Sequence, residues 1–331
     1  MKQGFVKVAS ATPRIRVADP VYNAQVICEQ AKEAAEHGAK IVVFPELCIT
    51  GYTCNDLFLQ ELLLEKAKEA LLTIAEETGQ LETLFLVGLP VDKDGRLYNV
   101  AAVLYRGRIL GMIPKKNIPM YAEFYEGRHF TPGEETVTEY RLGKQVIPFG
   151  SNLLFRCEEL PELILGCELC EDLWVAEPPS TSHALMGATV IANLSASNET
   201  VSKDDYRTLL IKASSARLLC GYIYTSAGEG ESTQDLVFGG HDLIAENGVV
   251  LAESERFTKG ILYSEIDVKK LTSERRRMST FETTDKRYQE IYFSLEQEET
   301  KITRYIDPMP FVPGSKADRE KRCEEIFPAG L

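Results

Sequence analysis

Three reactive side chains of different chemistry each follow an apolar, strand-like run of the sequence. They are the carboxylate of Glu46, the amine of Lys115 and the thiol of Cys170, the last of which comes directly after residues 164–169. A side chain at the end of a strand is commonly presented to a cleft. The pattern therefore predicts a base, a cation and a thiol that meet at one site.

These three groups together predict acyl transfer. A cysteine attacks an acyl carbon as its thiolate, and an ordinary thiol pKa of about 8.5 leaves little thiolate at neutral pH. Glu46 would take the thiol proton and later return it to a leaving amine. Lys115 and the backbone N–H after Cys170 would stabilise the oxyanion of a tetrahedral intermediate. The predicted reaction is attack on an amide through a thioester.

Each residue alone also has an ordinary explanation. A buried cysteine is usually an inert small hydrophobe, and a lysine after a strand is usually a solvated turn residue, so the prediction depends on the combination. No Gly-x-Ser-x-Gly elbow occurs in the sequence. The four histidines have no spacing that predicts a Cys/His or Ser/His pair: His37, His129, His183 and His241.

The segments around the three residues resemble the Glu, Lys and Cys signatures of the nitrilase, or carbon-nitrogen hydrolase, superfamily. They occur in the same order: FPEL at 44–47, PKKNIP at 114–119 and CEDLW at 170–174. Longer segments resemble the N-terminal glutamine amidotransferase domain of the glutamine-dependent NAD synthetases over essentially the whole chain. These segments are FPELCITGY at 44–52, YAEFYE at 121–126, ANLSAS at 192–197, SAGEGESTQD at 226–235 and ENGVVLAESERF at 246–257.

This resemblance implies a glutaminase that releases ammonia from L-glutamine through a Cys170 thioester. It also implies a second glutamate, Glu126, that orients Lys115 or the substrate amide, with Glu123 as the rival position. Glutamine recognition requires groups for both charges of the amino acid and apolar walls for its methylenes. The resemblance assigns the pocket to Tyr52, Tyr121, Phe124, Glu171, Trp174, Ser197 and Lys203, although each of these could instead be ordinary packing or surface.

Composition excludes several other classes of protein. A net charge of −13 over 331 residues argues against a nucleic-acid or anionic-membrane partner. No apolar run reaches the roughly 20 residues of a membrane span, and the first residues are typical of a strand and not of a signal peptide. Eight scattered cysteines favour a reducing cytoplasm. The Cys167-x-x-Cys170 spacing lacks the second pair of a zinc site, so no metal is predicted.

Alternating apolar patterns predict an α/β protein. Strands are expected at 5–12, 39–47, 83–91, 98–105, 109–113, 163–170, 189–194 and 222–226, with helices at 21–37, 57–78 and 206–219 and a last hairpin around 246–248. Alternation with hairpins favours two stacked sheets with helices outside, which is the four-layer α-β-β-α sandwich that the resemblance also implies.

The sequence changes character near residue 272. Charged residues and Pro308, Pro310 and Pro313 predict an extended arm over 272–331, after a glutaminase domain over 1–271. The resemblance places an ATP-dependent synthetase domain beyond such an arm, and its phosphate-binding motif does not occur here. ATP, magnesium and deamido-NAD would belong to that domain, and the glutaminase itself would need no cofactor.

We therefore expect either one domain of a longer protein or a subunit that associates with a separate synthetase, and we expect self-association. Two other functions are weighed: a free-standing amidase or carbamoylase, and a non-catalytic member of the superfamily. The presence of Glu46, Lys115 and Cys170 argues against the second.

Overall fold

The computed structural model describes residues 1–282, 287–308, 312 and 315–329. Its strands are β1 (Phe5–Thr12), β2 (Ile41–Val43), β3 (Leu84–Lys93), β4 (Arg96–Tyr105), β5 (Arg108–Pro114), β6 (Thr138–Leu142), β7 (Gln145–Phe149), β8 (Leu153–Cys157), β9 (Ile164–Leu169), β10 (Val190–Ser195), β11 (Gly221–Ser226), β12 (Leu243–Glu246), β13 (Val249–Glu253), β14 (Gly260–Asp267) and β15 (Gln289–Phe293). Its α-helices are α1 (Pro20–Glu36), α2 (Glu61–Glu77), α3 (Pro179–Leu185), α4 (Lys203–Arg217), α5 (Val268–Arg277) and α6 (Lys316–Ala329).

The strands form two sheets. The eight-stranded sheet has the order β14-β1-β2-β3-β4-β5-β7-β6, and the seven-stranded sheet has the order β13-β12-β11-β10-β9-β8-β15. β2 and β3 are parallel, and β5 shares their direction because two antiparallel pairings separate it from β3. β9, β10 and β11 are also parallel to one another. The residues that follow β2 and β5 therefore lie at one edge of the first sheet.

The sheets pack face to face through apolar side chains. Val8, Val43 and Leu86 of the first sheet share a buried cluster with Leu165 and Leu194 of the second. Burial of such side chains is the main favourable term in folding. This cluster fixes the distance between the two sheets, and so between the residues at their strand ends.

Helices cover both outer faces. α1 begins after Asp19, whose carboxylate accepts a hydrogen bond from the Tyr22 N–H at 3.1 Å. Helices α1 and α2 pack their apolar stripes on the eight-stranded sheet. Helices α3 and α4 cover the seven-stranded sheet through a cluster that includes Ala184, Ile211 and Tyr222. The predicted α-β-β-α sandwich is confirmed.

Some predicted elements differ from those observed. The strand predicted over 39–47 is only Ile41–Val43 because Pro45 cannot donate to a ladder. The helix predicted over 57–78 begins at Glu61, since Tyr52–Leu59 forms two short 3₁₀ turns around Asn55. Five observed strands are not among the predicted ones: β6, β7, β8, β14 and β15.

The segment after residue 272 lies partly on the sandwich. β15 extends the seven-stranded sheet beside β8, and Phe293 and Leu295 enter the apolar cluster between the sheets. The prediction of an arm outside the core differs from the structure here, because the apolar residues among its charges are buried. The proposed boundary between 1–271 and 272–331 falls inside α5 and stays a prediction. Pro310 and Pro313 lie outside the described residues.

Within the described ranges, no helix is both long and apolar enough to cross a membrane. The cysteines of this part of the chain are unpaired thiols, and it holds no group of three or more His, Cys, Asp or Glu side chains arranged to bind a metal ion.

Candidate active site

The strand ends of both sheets meet at one place. Glu46 follows β2 and Lys115 directly follows β5, both in the eight-stranded sheet. Cys170 directly follows β9 of the seven-stranded sheet. The sheets are joined here because the Ala196 N–H donates to Glu46 Oε2 at 2.9 Å and the Glu46 N–H donates to the Ser195 carbonyl at 3.2 Å.

Glu46, Lys115 and Glu126 form a buried group that we term the carboxylate–lysine cluster. Lys115 Nζ lies 2.6 Å from Glu46 Oε1 and 2.7 Å and 2.9 Å from the two carboxylate oxygens of Glu126. The Lys115, Glu46 and Glu126 side chains are 0%, 0% and 4% exposed. Asn99 Nδ2 donates to Glu46 at 2.7 Å, and the Tyr52 hydroxyl donates to Glu126 at 2.8 Å.

Two carboxylates share one ammonium in this cluster, and this ratio determines which of the three groups carries a proton. Burial opposes a charge on Lys115, but the Glu126 and Glu46 carboxylates overcome it and raise the pKa of the ammonium well above its usual range. Burial raises the pKa of Glu46 to about 7, with Lys115 lowering it and Glu126 raising it. Glu46 is therefore able to accept and release a proton near neutral pH.

Cys170 is held in an unusual backbone conformation. Its φ is 40°, in the left-handed region that a non-glycine residue adopts only under constraint. Burial, followed by the charge of Glu46, raises the pKa of its thiol well above the usual range, and Lys115 offsets this only in part. The thiol is therefore protonated at rest, and its activation requires a base.

Asp172 connects the lysine strand to the cysteine turn, and sequence analysis did not identify this role. Its carboxylate accepts from the Leu169 N–H at 3.1 Å and from the Asn117 N–H and Asn117 Nδ2, both at 2.8 Å. Asn117 lies two residues after Lys115 and Leu169 precedes Cys170. This buried side chain therefore sets the spacing between the two reactive groups.

Five of the predicted pocket residues form a continuous set beside Cys170. Lys203 Nζ lies 5.1 Å from the centroid of the Trp174 ring and 5.5 Å from that of Phe124. Phe124 contacts the ring of Tyr121, whose hydroxyl donates to Glu171 at 2.8 Å. Burial lowers the pKa of Lys203, and the thiolate form of Cys170 would act in the opposite sense.

The other two predicted pocket residues lie deeper. Tyr52 and Ser197 are buried. Ser197 Oγ accepts a hydrogen bond at 3.3 Å from Arg207, a fully buried guanidinium that sequence analysis did not identify. Of the two rival glutamates, Glu126 contacts Lys115, whereas Glu123 accepts a hydrogen bond from Asn198.

A cleft opens beside Tyr52 and Glu126, with a volume of about 50 Å³. Its walls include Phe58, His129 and Asp235. The carboxylate–lysine cluster borders this cleft through Glu126, whereas Cys170 is not among the residues that line it. The stacked sheets bring a buried carboxylate, an ammonium and a thiol to one place, an arrangement that suits a hydrolase.

Comparison with known proteins identifies the family. The sequence model of the carbon-nitrogen hydrolases matches residues 7–276. The chain therefore belongs to the carbon-nitrogen hydrolase family, and the predicted resemblance and the prediction of an amide-hydrolysing enzyme are confirmed.

Several curated relatives match nearly the whole chain. The glutamine-dependent NAD(+) synthetase of Mycobacterium tuberculosis is 40% identical over 337 residues, covering 98% of this chain and 50% of the relative. That of Aquifex aeolicus is 29% identical over 314 residues, covering 95% of this chain and 50% of the relative. The chain spans about half the length of the curated relatives it matches.

Solved structures agree with the fold. A glutamine-dependent NAD(+) synthetase from Cytophaga hutchinsonii matches with a TM-score of 0.71 and 28% identity, covering 79% of this chain and 43% of that one. An amidase from Nesterenkonia sp. matches with a TM-score of 0.63 and 20% identity, covering 84% of this chain and 97% of that one. The second likeness supports the fold alone.

Proposed function

We propose that this chain hydrolyses the side-chain amide of L-glutamine through a thioester on Cys170. The observation that carries the proposal is the set of groups beside the thiol: an ammonium, Lys203, and a carboxylate, Glu171, joined by the aromatic contacts of Phe124 and Tyr121. Opposite charges beside flat apolar rings suit an amino acid whose α-carboxylate and α-ammonium must both be paired.

The first half-reaction forms the thioester. Glu46 takes the thiol proton as Cys170 Sγ bonds to the amide carbon, and the carbonyl oxygen becomes an oxyanion. Lys115 donates one N–H to Glu46 and shares a second between the two oxygens of Glu126, and its third N–H then stabilises that oxyanion. Glu46 then protonates the leaving nitrogen, the C–N bond breaks, and ammonia departs.

The second half-reaction regenerates the thiol. Glu46 accepts a proton from water as the water oxygen bonds to the thioester carbon. The C–S bond then breaks, Cys170 regains its proton, and glutamate leaves. Glu126 keeps Lys115 charged and in place throughout, because its carboxylate accepts from Nζ with both oxygens.

The ammonia would be consumed by a synthetase. The relatives that this chain matches are named glutamine-dependent NAD(+) synthetases and are about twice its length. We infer that a synthetase domain, tethered or separate, uses ATP and magnesium to amidate deamido-NAD in the cytoplasm. Self-association stays a prediction. We expect slow glutamine turnover by residues 1–331 alone, and faster turnover when the synthetase holds its acceptor.

Covalent labelling tests the nucleophile. An electrophilic glutamine analogue should add once, at Cys170, and Cys170→Ala should abolish both the adduct and ammonia release. Cys167 is the internal control, since it faces the apolar cluster between the sheets and burial raises the pKa of its thiol well above the usual range. Equal labelling of Cys167, or full activity of the alanine variant, would contradict the proposal.

Substrate range tests the choice of glutamine. Asparagine and butyramide should be poor substrates, because the first places its amide at another depth and the second offers no charged group to Lys203 or Glu171. Comparable steady-state rates on all three amides would favour a free-standing amidase instead.

A further inference from the structure

A chain of buried hydrogen bonds reaches the Cys170 backbone from within the seven-stranded sheet. The Cys170 N–H donates to Asn193 Oδ1 at 3.2 Å, and Asn193 Nδ2 donates to the Tyr222 hydroxyl at 3.1 Å. The Tyr222 hydroxyl in turn donates to Glu168 Oε1. Asn193, Tyr222 and Glu168 are 0%, 0% and 1% exposed, so these bonds form away from bulk solvent.

This series of hydrogen bonds ends at the Glu168 carboxylate, which has no ion-pair partner in the described part of the protein. Glu168 lies opposite Asn193 in the parallel pairing of β9 and β10. Its second oxygen accepts from the Ser180 N–H at 2.8 Å. A buried carboxylate without a cation is costly, and burial raises the pKa of Glu168 to about 7. Such a cost suggests a purpose beyond packing.

Glu168 determines the orientation of the Asn193 side-chain amide, that is, which of its oxygen and nitrogen atoms faces Cys170. Burial raises the pKa of Tyr222 well above its usual range, so the tyrosine keeps its single proton and gives it to Glu168. The Tyr222 oxygen must then accept, and Asn193 Nδ2 supplies that donor. Asn193 Oδ1 is left to face the Cys170 N–H and the Ser195 hydroxyl, the latter at 2.7 Å.

We propose that Asn193, Tyr222 and Glu168 are positioning residues that hold Cys170 at its positive φ and so aim its Sγ at the carboxylate–lysine cluster. A non-glycine residue stays in that region only when its surroundings fix it. The Cys170 N–H lies at the turn itself, and its acceptor is the one side chain of the set that contacts the nucleophile. This inference rests on the proposed role of Cys170.

The test compares two buried tyrosines. Tyr222→Phe removes the hydroxyl that orients Asn193. Tyr105→Phe is the matched control, since it also removes a hydrogen-bonded hydroxyl. Tyr105 is the last residue of β4, and its hydroxyl donates to the Ser294 carbonyl. Both the rate of Cys170 alkylation by chloroacetamide, followed by mass spectrometry, and kcat for glutamine are measured. We expect Tyr222→Phe to lower both about tenfold, with KM changed less than about twofold, and Tyr105→Phe to retain wild-type rates.

Asn193→Ala should have a larger effect, a loss of about a hundredfold in both rates, because it removes the acceptor itself. If this variant does not fold, Tyr222→Phe still decides. Equal alkylation rates and kcat for Tyr222→Phe and Tyr105→Phe would overturn the inference. A wild-type chain that alkylates at Cys170 but does not hydrolyse glutamine would overturn the proposed substrate, and the alkylation comparison would still decide the positioning role.

Discussion

Two buried groups of charged residues in this molecule differ in their balance of charge. In the carboxylate–lysine cluster one ammonium serves two carboxylates. In the second group, which we term the arm cluster, each carboxylate has its own cation. The arm cluster consists of Lys7, Glu246, Glu265 and Arg304.

The pKa values of two carboxyl groups, one from each cluster, shift in opposite directions. Glu265 is fully buried, yet hydrogen bonds from Arg304 and Thr303, together with Lys7 at 3.2 Å, outweigh burial and lower its pKa. Glu46 is also inaccessible to solvent but lies deeper in the protein and shares its cation, and burial raises its pKa to about 7. Burial alone therefore does not mark a functional carboxylate. A shortage of hydrogen-bond donors and cations does, because it leaves a proton acceptor that works near neutral pH, whereas Glu265 has the N–H groups of Arg304 and Thr303 as well as Lys7.

Removing Lys115 should have the largest effect. Lys115→Ala takes away the only cation in the carboxylate–lysine cluster among the described residues and the donor proposed for the oxyanion, so we expect kcat/KM to fall about a thousandfold or more. Steady-state ammonia release measures this. Lys115→Ala combined with Glu46→Ala should be hardly worse than either single variant, because the residues act as a unit. A much worse double variant would mean that they act independently.

The pH profile should report Glu46. Its carboxylate form is the base, and its pKa is raised to about 7, so kcat/KM should rise with pH through about 7 and fall about tenfold per pH unit below it. Asn99→Leu removes a hydrogen bond that favours the carboxylate, and should move this limb to higher pH. A profile that is flat from pH 5 to 8, or one that Asn99→Leu moves to lower pH, would exclude Glu46 as the base.

Breaking the arm cluster should affect stability instead of chemistry. Arg304 Nη1 lies 2.7 Å from Glu246, whose side chain is 2% exposed. Arg304→Met should lower the free energy of unfolding by about 2 kcal/mol, because it removes the nearer of the two cations beside Glu246 and leaves only Lys270 at 3.7 Å. Urea denaturation measures this loss, and Arg304→Lys should recover part of it. A fall in kcat of fully folded Arg304→Met would remove the distinction between the two clusters.

An exposed pair should show the smallest effect. Lys32 and Glu77 lie 2.7 Å apart with side chains 47% and 52% exposed. Lys32→Gln should leave both the urea midpoint and kcat unchanged, since water and salt screen such pairs. A measurable loss of stability would mean that proximity, and not burial, determines the value of an ion pair here.

The sequence predicted the parts of this site that are local. Glu46, Lys115 and Cys170 each follow an apolar run, and this placement depends only on neighbouring residues. The choice between Glu123 and Glu126 needed the path of the chain after Lys115, which has no periodic pattern. Edge strands such as β6 were missed because they are short and mostly exposed, with Tyr140 the one buried residue of Thr138–Leu142.

Polar residues inside strands gave a signal that could have been used. Asn99 interrupts the apolar strand β4, and Asn193 interrupts β10. Each is fully buried and reaches a reactive residue, Asn99 through Glu46 and Asn193 through Cys170. A buried polar side chain requires partners, but the identity of those partners depends on residues far away in the sequence.

The two hydrogen bonds that join Glu46 to Ala196 and Ser195 cross from one sheet to the other. The reactive residues therefore come from both sheets: Glu46 and Lys115 from the eight-stranded sheet and Cys170 from the seven-stranded sheet. Neither sheet alone contains both the base and the thiol. A folding intermediate with one sheet formed would have no working base–thiol pair. Loss of activity during denaturation should therefore coincide with separation of the sheets and be all-or-none.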